Sequence, residues 1–225
     1  MNKYAVIVAG GRGSRMKNIV PKQFLMVKNI PVLMHTLTRY HDADPDIQLI
    51  VVLPRYEQET WRKLKLSNGF NIPHRIVEGG KSRFQSVKNG LNVISENDAL
   101  VAIHDGVRPF TSVETIINSY NVAAKKGNAV AAVALKDSIR EVKDGKTIAR
   151  DRETFRLIQT PQTFQVKLIK DAFEAEEKPS FTDDASVAEH AGHTINLIEG
   201  SYENFKITTP EDLILAEAIV KRKIV

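Results

Sequence analysis

The sequence predicts an α/β fold in which helices cover both faces of a mostly parallel β-sheet. Apolar runs of strand length recur along the 225 residues. Most of them are nearly continuous rather than alternating, which is typical of parallel strands buried on both faces. Amphipathic helical patterns separate these runs, as in folds that pack helices on a central sheet. With 42% hydrophobic residues the chain can bury one full core, so we predict a single domain over residues 1–225, with two smaller domains as the alternative.

The predicted elements alternate in chain order. Strands are expected over residues 5–9, 47–53, 75–77, 99–103, 129–134 and 194–198. Helices are expected over residues 31–40, 57–66, 82–94, 113–125, 166–175, 183–191 and 211–221. Ligands of such sheets bind beside the carboxyl ends of the strands, and the motifs described below fall there.

One segment, residues 136–152, departs from this alternation. Polar and apolar residues alternate on both sides of Asp144-Gly145, which predicts a β-hairpin with its turn at that dipeptide. The segment has no residues with which to form a core. We therefore expect an arm, extending to about residue 155, that protrudes and contacts a partner surface; a solvent-exposed hairpin is an equal alternative.

Composition narrows the class of protein. The net charge of +5 suits nucleic acid and small polyanionic substrates equally well, but with 7% aromatic residues and no basic stripe interleaved with them, we expect no nucleic-acid partner. The chain contains no cysteine, which excludes disulfides, thiol nucleophiles and thiolate metal sites. Since neither a signal peptide nor a membrane-spanning segment is recognisable, we expect a cytoplasmic enzyme that acts on metabolites, without a membrane partner.

The first strand ends in a glycine-rich loop of the kind that binds phosphates. Glycines at a strand end let backbone N–H groups approach an anion, and the nearby cations Arg12, Arg15 and Lys22 suit a triphosphate. The spacing does not match the P-loop. Nor does it match the dinucleotide fingerprint, because Met16 occupies the place of the third glycine. We predict a nucleotide loop of another kind, formed by Ala9, Gly10, Gly11 and Gly13.

A second glycine cluster follows the third predicted strand, at residues 78–83. Ser82 is expected to cap the next helix. Gly79 and Gly80 would present backbone to a base or ribose, with Ser86 one turn inside the helix.

A third cluster places Asp105 where a strand leaves the sheet, followed by Arg108. A carboxylate beside a polyphosphate loop is what Mg²⁺ requires, so we prefer Asp105 as a magnesium ligand over a simple ion pair with Arg108 across the turn. The neighbouring His104 is expected to be a packed side chain, since no second histidine stands at metal-ligand spacing.

Two late segments complete the set. Thr182 is expected to cap a helix, and Thr209-Pro-Glu-Asp to begin another. Lys206 lies within an otherwise apolar segment that we interpret as a short strand. A lysine there needs an anionic partner, which a substrate phosphate would supply.

Taken together, these motifs resemble one enzyme family. Its pattern matches Ala9 to Met16, Pro21-Lys22-Gln23, Gly79 to Ser86, His104 to Pro109, Thr160-Pro-Gln, Thr182 to Ser186 and Asn204 to Leu213, in that order. The chain is thus similar from Tyr4 to Ile219 to the cytidylyltransferases that make CDP-linked sugar alcohols, and among these to the 2-C-methyl-D-erythritol 4-phosphate cytidylyltransferases.

The resemblance implies a three-layer, Rossmann-like fold of the nucleotide-diphospho-sugar transferase kind, with a twisted, mostly parallel sheet and a protruding β-arm. It implies Mg²⁺-dependent transfer of CMP from CTP to methylerythritol phosphate, with release of pyrophosphate, on the non-mevalonate route to isoprenoids. It also implies a homodimer in which the arm completes the neighbouring substrate site.

The same resemblance implies a role for each matching residue. Arg15 and Lys22 would be catalytic, and Asp105 would hold the metal. CTP would be bound by Ala9, Gly10, Gly11, Gly13, Gly80, Arg83 and Ser86. The acceptor would be bound by Thr182, Lys206 and Arg108, and by Ser138 and Arg152 of the partner chain.

Two alternative functions remain, that of a ribitol 5-phosphate cytidylyltransferase and that of a nicotinamide-dependent oxidoreductase. One residue departs from the family pattern, since Ser138 stands where the family often has threonine. Gly106-Val107 and Lys206-Ile-Thr-Thr-Pro210 lean towards the related ribitol 5-phosphate cytidylyltransferases, whereas Thr182 to Ser186 favours the methylerythritol enzymes. A nicotinamide-dependent oxidoreductase would need the missing third glycine and an acidic residue after the second strand, where Leu53-Pro-Arg55 offers none.

Overall fold

The centre of the chain is a seven-stranded sheet of β1 (Asn2–Val8), β4 (Gln48–Leu53), β5 (Arg75–Glu78), β6 (Ala99–Asp105), β7 (Asn128–Ala134), β10 (Arg156–Gln165) and β11 (Leu197–Glu199). The order of these strands across the sheet is β11-β7-β10-β6-β1-β4-β5. The computed structural model describes residues 1–11 and 20–222. All strands of this sheet run parallel except β10, which is antiparallel to both of its neighbours.

Helices separate most of these strands. They are α1 (Val32–Ala43), α2 (Arg55–Ser67), α3 (Arg83–Asn92), α4 (Val113–Lys126), α5 (Val166–Ala172), α6 (Asp184–His190) and α7 (Pro210–Arg222). A small ribbon is formed by β2 (Met26–Val27) and β3 (Ile30–Pro31). None of the helices in the described part of the chain is long and apolar enough to cross a membrane.

Successive residues of β1 point to opposite faces of the sheet, and each face carries its own hydrophobic cluster. Ala5 and Ile7 pack with residues of α1, α2 and α4, among them Leu37 and Trp61. Tyr4 and Val6 pack on the other side with residues of α3, α5 and α6. The α/β architecture with three layers and a mostly parallel sheet is therefore confirmed.

The strand β10 is the main element that the sequence did not predict. It carries several polar residues and Pro161, and a proline inside a run argues against a central strand. The structure accommodates Pro161 because the pairing of β10 with β7 shifts register between Ile158 and Gln162. The strand thereby enters the sheet between β6 and β7.

The predicted hairpin is confirmed as β8 (Ile139–Lys143) paired with β9 (Lys146–Arg150). Its turn residues Asp144 and Gly145 have φ angles of +48° and +74°, as a type I′ hairpin turn requires. Residues 140–152 are exposed, so the hairpin projects from the sheet that carries the core.

Candidate active site

A pocket opens at the carboxyl ends of β1, β5 and β6. It brings together nine of the residues that the sequence singled out: Ala9, Gly10, Gly11, Lys22, Gly80, Arg83, Ser86, Asp105 and Lys206. Gly13 and Arg15 lie outside the described residues. Ser138 and Arg152 are on the exposed hairpin and outside the described lining of this pocket.

The first wall of the pocket is the segment that continues β1. Ala9 N–H donates to the Val52 carbonyl at 3.0 Å, so the chain leaves the sheet only after this residue. Lys22 lies in a short 3-10 turn that ends at Phe24, and its side chain crosses this segment: a Cβ at Gly11 would be 3.4 Å from Lys22 Cε. The lysine predicted to act on phosphates therefore lies against the glycine segment predicted to bind them.

The second wall is the glycine turn between β5 and α3. Gly80 N–H donates to Ser86 Oγ at 3.0 Å, and that hydroxyl donates to the Ser82 carbonyl at 2.8 Å. Ser82 caps α3 as predicted, because its Oγ accepts from the Gln85 N–H. The Ser86 hydroxyl thus fixes the shape of the turn that faces the pocket.

Asp105 is the only carboxylate among the described residues that line this pocket. Its Oδ2 lies 3.1 Å from Lys206 Nζ and 3.2 Å from Arg108 Nε, and its Oδ1 lies 3.8 Å from Arg83 Nε. Burial alone would raise the pKa of Asp105, but these cations outweigh burial and hold the pKa well below its usual range. The side chain is an anion at any physiological pH.

The structure contains the ion pair between Asp105 and Arg108 that was the alternative to metal binding. This pair uses Asp105 Oδ2, and the other oxygen, Oδ1, lies farther from its nearest cation, Arg83. No cluster of three acidic, histidine or cysteine side chains that could hold a metal occurs in the described parts of the chain. Asp105, the one carboxylate in the described lining, could supply a single oxygen to a magnesium ion, whose other ligands would then be substrate phosphates and water.

His104 is packed, as predicted. It is fully buried, its Nε2 lies 3.2 Å from the Arg108 carbonyl, and the Tyr40 ring contacts it edge-on. Burial lowers the pKa of His104 to about 4, so the imidazole is neutral at physiological pH.

The sequence did not reveal the partner of Arg83. Its two terminal nitrogens donate to the carboxylate of Asp184 at 2.8 and 2.6 Å, and Asp184 is fully buried. Burial raises the pKa of Asp184, and the guanidinium opposes that rise. This bidentate pair fixes Arg83 between the pocket and α6.

The cap of α6 corrects the prediction for Thr182. The capping residue is Asp183, whose Oδ1 accepts the Ser186 N–H at 2.9 Å, while Ser186 Oγ accepts the Asp183 N–H. A carboxylate at this position can serve both as cap and as a favourable charge at the positive helix end. Thr182 is left one residue before the cap.

A second pocket adjoins the first and shares Arg83, Asp105 and Lys206 with it. Its lining includes the predicted acceptor residues Arg108 and Thr182. Arg108, Thr182 and Lys206, the acceptor residues predicted within a single chain, thus line one pocket.

The short strand predicted around Lys206 is wrong. Residues 204–208 have no strand structure, because side chains take much of the bonding that a neighbouring strand would provide. Arg108 Nη1 donates to the Asn204 carbonyl at 2.7 Å, and the Thr208 N–H donates to Asp212 Oδ2 at 2.7 Å. The anionic partner of Lys206 in the structure is Asp105, whereas the sequence analysis assigned that part to a substrate phosphate.

Comparison with known proteins identifies the family. The family model described as 2-C-methyl-D-erythritol 4-phosphate cytidylyltransferase matches residues 4–222. The chain belongs to this family. A relative of that name from Bacteroides fragilis is 44% identical over 220 residues, which cover 98% of this chain and all of the relative. Another from Alkaliphilus oremlandii is 40% identical and is covered over 94% of its length.

Solved structures of the family agree with the fold. The crystal structure of 4-diphosphocytidyl-2C-methyl-D-erythritol synthase from Anaerococcus prevotii has a TM-score of 0.83 and 31% identity, covering 97% of this chain and 96% of that one. The 2-C-methyl-D-erythritol 4-phosphate cytidylyltransferase from Thermus thermophilus has a TM-score of 0.76 and 31% identity, covering 98% and 100% of the two chains. The family that the motifs resembled is thus the family to which the chain belongs.

Proposed function

We propose that this chain transfers CMP from CTP to 2-C-methyl-D-erythritol 4-phosphate, giving 4-diphosphocytidyl-2-C-methyl-D-erythritol and pyrophosphate. One observation carries the proposal beyond family membership. The described residues that line the first pocket include four cationic side chains, Lys22, Lys81, Arg83 and Lys206, and a single carboxylate. Such an excess of positive charge beside exposed backbone suits a triphosphate.

The chemistry is an in-line displacement at phosphorus. A phosphate oxygen of the acceptor forms a bond to the α-phosphorus of CTP, and the bond from that phosphorus to the bridging oxygen breaks, so that the electron pair leaves with pyrophosphate. The protein accelerates such a step mainly by positioning the reactants and neutralising charge. We assign Lys22 and Arg15 to the charge that grows on the transferred and leaving phosphates, with the backbone of residues 9–13 around them.

The nucleoside end of CTP is assigned to the turn after β5. Gly80 and Ser86 line the pocket there, and the Ser86 hydroxyl sets the shape of the turn by hydrogen bonds at both of its ends. Arg83 is held by Asp184 with its guanidinium between the two pockets, where it can contact phosphates of CTP.

The acceptor is assigned to the second pocket, where Thr182, Lys206 and Arg108 would hold methylerythritol phosphate. We also propose that Ser138 and Arg152 of a second copy of the chain complete this site, which makes the enzyme a homodimer through the hairpin. The exposure of the hairpin over residues 140–152 supports this assignment, because an isolated hairpin gains little stability by itself. We place the enzyme in the cytoplasm, where its nucleotide substrate is available.

We further propose Mg²⁺ as the cofactor. Asp105 would hold the ion together with phosphate oxygens of CTP, and the bound ion would supply charge neutralisation at those phosphates. Lys206 and Arg108 keep Asp105 ionised and oriented towards the pocket.

A coupled pyrophosphate-release assay tests the function. CTP and Mg²⁺ are supplied with methylerythritol phosphate in one reaction and with ribitol 5-phosphate in a second, and we expect turnover in the first. Preferential turnover with ribitol 5-phosphate would reassign the acceptor.

Gly106, one of the residues that leaned towards the ribitol enzymes, is not among the described residues that line either pocket. It packs under the glycine segment, where a Cβ would lie 3.0 Å from that of Ala9.

A further inference from the structure

The turn that carries Lys22 is fastened to helix α2 by the two residues that follow the lysine. Gln23 Nε2 donates to Glu57 Oε2 at 2.5 Å. The ring of Phe24 stacks on Trp61 with 6.1 Å between ring centroids and 8° between their planes. Glu57 and Trp61 are four residues apart and thus lie on one face of α2. Two consecutive side chains of the turn are therefore held by one helix face.

The contact between Gln23 and Glu57 is buried beneath the pocket. Gln23 is 0% exposed and Glu57 is 5% exposed, while Gln23 also contributes to the lining of the pocket. The Oε1 atom of Gln23 is buried without a partner among the described residues. Among the described residues, Glu57 fixes the orientation of the Gln23 side-chain amide through a charge-assisted hydrogen bond.

Burying a carboxylate costs free energy unless neighbouring groups stabilise its charge. The groups around Glu57 stabilise its charge only in part. Glu57 is the third residue of α2, where the positive end of the helix dipole favours an anion. Burial raises the pKa of Glu57, and the hydrogen bond from Gln23 opposes that rise. A buried hydrogen-bond acceptor held at such a cost beside the pocket needs a reason beyond packing.

Its position relative to Lys22 supplies that reason. Lys22 immediately precedes Gln23, and its side chain crosses the glycine segment after β1. We propose that Glu57 is a positioning residue for Lys22: by holding Gln23, it fixes the turn at the place from which the lysine ammonium reaches the phosphates of the nucleotide. This inference rests on the proposed function, since it takes Lys22 as the group that neutralises phosphate charge in the transition state.

Two substitutions at Glu57 distinguish the position of its acceptor oxygen from its negative charge. Glu57→Gln keeps the acceptor oxygen in place and removes the charge, whereas Glu57→Asp keeps the charge and withdraws the oxygen by one carbon–carbon bond, about 1.5 Å. A misplacement of about 1 Å can cost roughly a hundredfold in rate. We therefore expect Glu57→Asp to lower kcat by at least about tenfold, with a much smaller change in the KM for CTP, and Glu57→Gln to stay within about threefold of wild type. A lower kcat for Glu57→Gln than for Glu57→Asp, or a wild-type kcat for Glu57→Asp, would overturn the inference.

A double-mutant cycle distinguishes positioning of Lys22 from a general structural role. In the Lys22→Ala background, Glu57→Asp should have no further effect on kcat, because the group that it positions is gone. An equal loss of kcat in both backgrounds would contradict the inference. Glu59→Asp is the matched control: it makes the same change on the same helix at an exposed residue that pairs with Arg62, and it should leave kcat unchanged.

The outcomes also separate this inference from the proposed function. A wild-type enzyme that releases no pyrophosphate from CTP and methylerythritol phosphate would refute the function, whereas an active wild type with an unaffected Glu57→Asp variant refutes only the positioning role. Thermal melting checks that each variant is folded at the assay temperature. Should Glu57→Asp melt below it, Gln23→Asn shortens the same contact from the other side and carries the same expectation.

Discussion

Replacing Gly80 by alanine adds one methyl group where the turn after β5 meets α3. A Cβ at this position would lie 2.3 Å from the Cβ of Gln85 and 3.0 Å from its carbonyl carbon. Carbon atoms in contact are normally about 3.5 Å apart or more, so the turn has to move by roughly 1 Å. The hydrogen bond from Gly80 N–H to Ser86 Oγ, 3.0 Å long in the native turn, would be lost or distorted by that movement.

The expected consequence is a loss of catalysis with little loss of stability. A displacement of about 1 Å at a substrate-positioning segment costs roughly a hundredfold in rate, and we expect kcat/KM for CTP to fall by about that factor. Gly80 is exposed, so the turn can shift outwards without disturbing the core, and the melting temperature should change little.

Steady-state pyrophosphate release at varied CTP and saturating acceptor measures the effect, and thermal melting of the same preparation serves as the control. A Gly80→Ala enzyme whose kcat/KM for CTP stays within about threefold of wild type would refute the assignment of this turn to the nucleotide. A variant that has lost its cooperative melting transition would show that the turn supports the fold rather than the ligand.

Four further predictions test the remaining assignments. Lys22→Ala should lower kcat by roughly 10²–10³-fold at saturating CTP, the usual effect of removing one preorganised transition-state contact; turnover close to wild type would exclude Lys22 from catalysis. CTP should be used far better than UTP or ATP in parallel steady-state assays, because a site built for hydrogen bonds leaves buried groups unpaired with the wrong base, and comparable rates with UTP would show that the base pocket is misassigned. Mixing the impaired Lys22→Ala and Arg152→Ala enzymes should raise activity above that of either variant alone, since one site of each heterodimer carries neither change; exchanged heterodimers no more active than the parent variants would contradict a hairpin that acts across the dimer. Asp184→Asn should lower the free energy of unfolding, measured in urea, by about 3 kcal/mol, because Arg83 loses the charge that compensates its burial; an unchanged unfolding midpoint would show that the pair adds nothing to stability.

The sequence by itself determined the architecture and the edge of the sheet at which the site lies. Continuous apolar runs and the helical patterns between them are local signals, and they depend only on which side chains must leave water. The glycines after β1 and β5 and the acid at the end of β6 were likewise recognisable, because each lies at or just after the end of its strand. Since the carboxyl ends of parallel strands share one edge, these local signals were sufficient to predict that the three would meet.

Only the tertiary structure decided how the site is held together. Arg83 and Asp184 are separated by 101 residues, and Gln23 and Glu57 by 34, so no spacing rule connects either pair. The first acid of the Asp183-Asp184 pair is the helix cap and the second is the buried partner of Arg83, a division that composition cannot reveal. The strand β10 was missed for a related reason: its polar residues and Pro161 argue against a central strand until the register shift and the neighbours on both sides are known. A polar side chain is buried only where the folded chain brings it a partner, and that partner is set by three-dimensional packing rather than by neighbours in sequence.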